Sequence, residues 1–88
     1  MRDVVIVEGV RTATGSFGGS LSKIPAAVHG GECVRALMER SKIDPSEIDE
    51  VIIGTHFQAG TKANPARQCS IYGGLPVTVP AFTPNKNC

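Results

Sequence analysis

Two short runs of consecutive β-branched residues, Val4-Val5-Ile6-Val7 and Val51-Ile52-Ile53, constrain this chain more than any other feature. A strand with one wet face alternates apolar and polar residues, whereas one that is apolar at successive positions is buried on both faces. Burial on both faces calls for helices on either side of a largely parallel sheet. The sequence between the runs supplies a helical pattern. From Ala26 to about Arg40, the residues Ala27, Gly30, Gly31, Val34, Leu37 and Met38 fall near helical spacing, and Arg35 and Glu39 form an i,i+4 pair on the other side. Pro25 can open this helix, because the N–H it lacks would be an orphan there. Gly30 and Gly31 each lower helix propensity by about 1 kcal/mol against Ala. Their presence makes sense if the helix lies very close to a sheet.

The remaining elements follow from local chemistry. Asp44-Pro45-Ser46-Glu47 is a helix-start signature for a single turn, with Asp44 as cap, Pro45 at the first position and Glu47 completing a capping box. Asn64-Pro65 is a second cap-plus-proline pair and opens a short helix that Gly73-Gly74 ends. A third extended segment runs from Val77 to about Thr83. The order strand, helix, strand, helix, strand predicts an α/β layered fold with a largely parallel sheet. The 88 residues suit one small domain. Three strands do not make a robust sheet covered on both faces, and the sequence stops on a cysteine after the polar run Pro84-Asn85-Lys86-Asn87. The expectation is therefore an incomplete domain, residues 1–88 being only its first β-α-β-α-β portion.

Composition narrows the function. A net charge of +1 gives no electrostatic case for nucleic acid or an acidic membrane. The aromatics are Phe17, Phe57, Tyr72 and Phe82, without Trp, too few for a base-stacking surface. No apolar run approaches the roughly 20 residues of a membrane span. The apolar core of the N-terminus is too short for a signal peptide and ends at Glu8. These features predict a cytoplasmic protein. Cys33, Cys69 and Cys88 are odd in number, with neither a disulfide nor a zinc spacing, so free thiols and no metal site are expected.

Cys88 is the sharpest candidate for chemistry. It follows the third extended segment, at the sheet edge where open α/β folds place ligands. A helix beginning just after it would favour the thiolate, the form that attacks a thioester carbonyl. The competing reading is a cysteine with no role. Cys33 and Cys69 lie within helices and read as small hydrophobes. His56, at a strand end, has the chemistry of a general base, but a structural histidine is the commoner case, as for His29. The loop Thr14-Gly15-Ser16-Phe17-Gly18-Gly19-Ser20 fits neither the P-loop nor the dinucleotide spacing and reads as a turn needing positive φ. Arg11 and Arg67 are candidates for anion binding or for structural ion pairs.

Several stretches together resemble one family. Val10-Arg11-Thr12-Ala13-Thr14-Gly15-Ser16-Phe17-Gly18-Gly19-Ser20-Leu21 resembles the VRTPxGxFGGxL segment of thiolases. Gln58-Ala59-Gly60 and Asn64-Pro65-Ala66-Arg67-Gln68 resemble QAGxGQNPARQ. Gly74-Leu75-Pro76, Val79-Pro80-Ala81-Phe82-Thr83 and Asn85-Lys86-Asn87-Cys88 resemble G-x-P…PAxTxNxxC. The likeness runs from about Val4 to Cys88, in order and at family spacing.

The resemblance implies a thiolase-like layered α/β fold and an acyltransferase acting on coenzyme A thioesters, with no permanently bound cofactor. It implies that Cys88 is the nucleophile that forms an acyl-enzyme in a ping-pong cycle. The family's other catalytic groups, in C-x-G-G-G, GHP and N-E-A-F segments, fall on no residue of this chain. The nearest activity is that of acetyl-CoA acetyltransferases, which interconvert two acetyl-CoA with acetoacetyl-CoA and CoA. A longer-chain 3-ketoacyl-CoA thiolase and a non-catalytic lipid-binding or scaffolding relative are the alternatives. The implied partners are the remainder of the same protein, as another chain or segment, and further copies in a homodimer or homotetramer, with Val79 to Thr83 near a two-fold interface. Three departures stand out: Ala13 for the usual proline, Ala63 for the usual Gln, and Pro84 with Asn87 for common apolar residues beside Cys88. Pro84 removes a backbone donor from the third extended segment, which places one hydrogen bond of that interface in question.

Overall fold

Asn64 and Pro65 begin a helix where the sequence predicts one. In the computed structural model, which describes residues 2–86, α2 spans Pro65–Tyr72. Asn64 sits in the left-handed region at φ 39° and its side chain accepts the amide of Arg67. Asn tolerates this backbone better than most residues because its short amide bonds locally. At the other end the amides of Gly73, Gly74 and Leu75 return to the carbonyls of Cys69, Ile71 and Ser70. Gly74 takes φ +88°, a conformation closed to most side chains, and so stops the helix.

The longer helix α1 spans Ala26–Ser41, and Lys42 closes it in the left-handed region with its N–H on the carbonyl of Met38. Asp44 caps a 3₁₀ turn at Pro45–Glu47 by accepting from the amide and the hydroxyl of Ser46. These bonds favour the ionised carboxylate and hold its pKa below the ordinary value. Strands β1 (Val51–Ile52) and β2 (Ala81–Phe82) pair in parallel, with Val51 opposite Ala81 and Ile52 opposite Phe82. The architecture is therefore mixed α/β with a small parallel sheet. Val51, Leu75 and Val79 form the buried cluster, and Val34, Met38, Ile48, Ile53 and Ala81 pack against it.

Four expectations change on contact with the structure. The glycines of α1 face α2 rather than a sheet. A Cβ on Gly30 would lie 2.5 Å from Cys69 Sγ, and one on Gly31 would lie 2.5 Å from Tyr72 Cβ. Glycine is thus what lets the two helices touch backbone to side chain. Arg35 donates to the carbonyl of Tyr72 instead of pairing with Glu39, tying the C-terminal turn of α2 to α1. The third extended segment starts at Ala81, because Val77 to Val79 turn and the amide of Val79 bonds to the carbonyl of Pro76. The run Val4 to Val7 is not a strand among the described residues, and Val4 and Ile6 are 98% and 95% exposed. A strand exists only when another strand takes up its N–H and C=O groups, and no described residue pairs with this one.

Candidate functional site

Because β1 and β2 run in parallel, their C-terminal ends emerge side by side. The ladder continues past the strands themselves. Amides of Val51, Ile53 and Thr55 donate to the carbonyls of Pro80, Phe82 and Pro84 at 2.9, 3.3 and 3.2 Å. In a parallel ladder, alternate residues direct both N–H and C=O to the same neighbour. Pro84 therefore faces β1, and the donor it lacks is missing from the β1–β2 ladder, not from the outer edge of β2. That corrects the expectation that Pro84 weakens a contact between copies, and it explains why β2 stops at Phe82.

Beyond these ends lies an open cleft of about 320 Å³ lined by Gly54, Thr55, His56, Pro84 and Lys86. Its position outside the carboxyl ends of parallel strands is where open α/β sheets bind ligands. His56 is exposed and meets Phe57 edge-on, with ring centroids 4.3 Å apart. Cys88 lies outside the described residues. Lys86, two positions before it, lines the cleft.

The other candidates are spread over the molecule. Cys69 is buried where α1 and α2 meet. Burial pushes its thiol pKa up, and the nearby Cys33 adds to this. A thiol held neutral in this way is a poor nucleophile, as its reading as a small hydrophobe requires. Arg11 donates to Thr14 Oγ1 at 3.2 Å and Arg67 to the carbonyl of Val77 at 3.0 Å. Each arginine thus braces a loop through a neutral acceptor rather than an ion pair. Gly18 takes φ +70° in the glycine-rich loop, as a turn there requires. His29 lies within α1, apart from the cleft-lining residues.

A feature the sequence did not signal ties α2 to β2. Thr83 Oγ1 accepts the amide of Ala66 at 2.9 Å and donates to Asn64 Oδ1 at 2.9 Å, while Asn64 Nδ2 donates to the carbonyl of Ala81 at 3.2 Å. Asn64 reads in the sequence as a helix cap and as part of a family motif, and neither signals its bond to Thr83.

The family described as thiolase, N-terminal domain, matches residues 4–88. The chain belongs to the thiolase family. An acetyl-CoA acetyltransferase of Cupriavidus necator is 52% identical over all 88 residues, and one of Pseudomonas aeruginosa is 53% identical. A relative from Staphylococcus epidermidis, named probable acetyl-CoA acyltransferase, is 49% identical over the same span. The chain spans 22% of the length of each of these curated relatives. The described residues of this thiolase segment thus carry two α-helices and two parallel strands, with the cleft at the strand ends. Among the described residues, no helix is long and apolar enough to cross a membrane.

Proposed function

We propose that this thiolase segment belongs to an acetyl-CoA C-acetyltransferase, which condenses two acetyl-CoA to acetoacetyl-CoA and CoA or runs the reverse cleavage. Cys88 carries the acetyl group between the two half-reactions. The observation that carries this reading is the thiolase match through residue 88, joined to about half identity with proteins named acetyl-CoA acetyltransferase. The cleft at the ends of β1 and β2 supports it, since the chain enters the cleft at Pro84 and Lys86 just before Cys88.

In the first half-reaction the Cys88 thiolate attacks the carbonyl carbon of acetyl-CoA. A new C–S bond forms, the bond to CoA breaks, and CoA leaves as a thiolate that takes up a proton. In the second, a base removes a proton from the methyl carbon of another acetyl-CoA. The resulting carbanion attacks acetyl-Cys88 and returns the cysteine as thiolate. That base comes from outside these 88 residues. The substrates are CoA thioesters, the protein is cytoplasmic, and it works as a homodimer or homotetramer. A longer-chain 3-ketoacyl-CoA thiolase is the second reading, favoured by the broader acyltransferase name of the S. epidermidis relative.

Isotope exchange tests the proposal. The complete protein is incubated with acetyl-CoA and labelled CoA, and label is followed into acetyl-CoA. Exchange is expected with the native protein and not with Cys88→Ser. Absence of exchange in the native protein would make it a non-catalytic relative. Faster exchange from a long-chain acyl-CoA would favour the second reading.

A further inference from the structure

The link between α2 and β2 does more than cap a helix. We propose that Asn64 and Thr83 form a positioning clamp that fixes the segment leading to Cys88; this inference rests on the proposed role of Cys88 as nucleophile. Thr83 precedes Cys88 by five positions, and Asn64 immediately precedes α2. The two lie 19 positions apart in sequence, yet they share a 2.9 Å hydrogen bond.

The donors and acceptors fit in only one direction. The Thr83 hydroxyl has one hydrogen and gives it to Asn64 Oδ1, so its lone pair is left for the amide of Ala66. Asn64 Oδ1 also accepts the amide of Arg67 at 3.3 Å, which leaves Nδ2 to donate to the carbonyl of Ala81. The amide of Gln68 bonds to the backbone carbonyl of Asn64 at 3.2 Å. Every free amide in the first turn of α2 is thereby used to hold Asn64 or Thr83, because Pro65 has none to offer.

The clamp reaches β2 on the edge that the ladder leaves free. Phe82 and Pro84 turn their backbone polar groups toward β1, whereas those of Ala81 and Thr83 turn away; Asn64 takes the Ala81 carbonyl on that free edge and meets Thr83 through its side-chain hydroxyl. The segment is thus gripped on one side by β1 and on the other by α2. This grip matters because Pro84 ends the regular ladder immediately before the cleft. α2 is itself anchored, with Pro65, Ala66, Cys69 and Ser70 buried. Acyl transfer requires the sulfur within near-attack distance of a carbonyl, and displacement by about 1 Å can lower the rate about 100-fold. A clamp on the approach segment therefore acts on turnover more than on substrate affinity.

Three substitutions in the complete protein test this. Thr83→Val keeps the shape and removes the hydroxyl. Thr83→Ser keeps the hydroxyl. Asn64→Asp keeps a good helix cap and the acceptor for Thr83, but removes the donor to Ala81. Turnover is measured per active site, with sites counted by stoichiometric alkylation of Cys88, so that loss of folded protein is not read as loss of rate. Thr83→Val is expected to lower kcat by about tenfold or more and Asn64→Asp by severalfold. KM for acetyl-CoA should shift by less than about twofold, and Thr83→Ser should recover most of the rate. Wild-type kcat per site in both Thr83→Val and Asn64→Asp would overturn the clamp. A rise in KM at unchanged kcat would do so as well. Cys88→Ser is run alongside. If it is inactive while the clamp variants turn over normally, the clamp fails and the nucleophile stands. If it retains turnover, the functional reading fails and the clamp falls with it.

Discussion

Gly30 shows how one residue sets the distance between two helices. Adding a Cβ would place it 2.5 Å from Cys69 Sγ, well inside van der Waals contact. Helix propensity alone would make Gly30→Ala stabilising by about 1 kcal/mol. The clash outweighs that gain, because overpacking a tight contact typically destabilises by about 1–3 kcal/mol. The predicted outcome is a lower thermal midpoint for Gly30→Ala in the complete protein, and an unchanged or higher midpoint would show that α1 and α2 can move apart. The partner in this contact, Cys69, also predicts a pH dependence. Its pKa is raised above the ordinary 9.0 by burial and by Cys33. A raised pKa means that the folded state keeps its proton while the unfolded state has begun to lose it. The stability from this thiol is therefore complete below about pH 9 and is lost as pH rises through the folded value. Thermal midpoints measured from pH 7 to 10 should fall over the alkaline limb, and the fall should be smaller in Cys69→Ser.

The elements differ in how far the sequence gives them away. A helix satisfies most of its hydrogen bonds internally, so α1, the 3₁₀ turn and α2 were legible from their caps and prolines within a residue or so. A strand is a relation between distant segments. Val51-Ile52 finds Ala81-Phe82, whereas Val4 to Val7, equally β-branched, finds no partner among the described residues. The Asn64–Thr83 clamp was illegible for the same reason, since nothing local announces a bond across 19 positions. The position of the cleft was legible, because parallel strands define a carboxyl edge wherever they form. In the stretch of chain between α2 and β2, Leu75 joins Val51 and Val79 in the buried cluster, against which Val34 and Met38 of α1 pack. Leu75→Ala should lower stability by about 2–5 kcal/mol through lost burial and a cavity. Phe17→Ala, at a fully exposed loop position, should change it by less than about 0.5 kcal/mol. Denaturant midpoints of the complete protein would reveal the contrast, and comparable losses at the two sites would contradict this core.

At the scale of the whole molecule the chain is extended and thinly packed. Its radius of gyration is 13.9 Å and its extents are 46 × 26 × 23 Å. A compact chain of this length has a radius of gyration of roughly 12 Å. The excess accompanies Val4, Val5, Ile6 and Val7, whose apolar surface is left in water. So few of the described residues are fully buried that hydrophobic burial has little with which to oppose the conformational entropy of ordering the chain. The 88-residue peptide on its own should therefore show no cooperative thermal transition by circular dichroism, and a sharp one would contradict this picture. In the complete thiolase, the proposed acyl transfer rests on Cys88. Iodoacetamide labelling of the three cysteines, read by peptide mass spectrometry with and without acetyl-CoA, tests it most directly. The prediction is that Cys88 labels fastest and that acetyl-CoA protects Cys88 alone, while Cys33 and Cys69 react slowly in either case. Labelling of Cys88 no faster than the other two, and unaffected by acetyl-CoA, would contradict the assignment of the nucleophile.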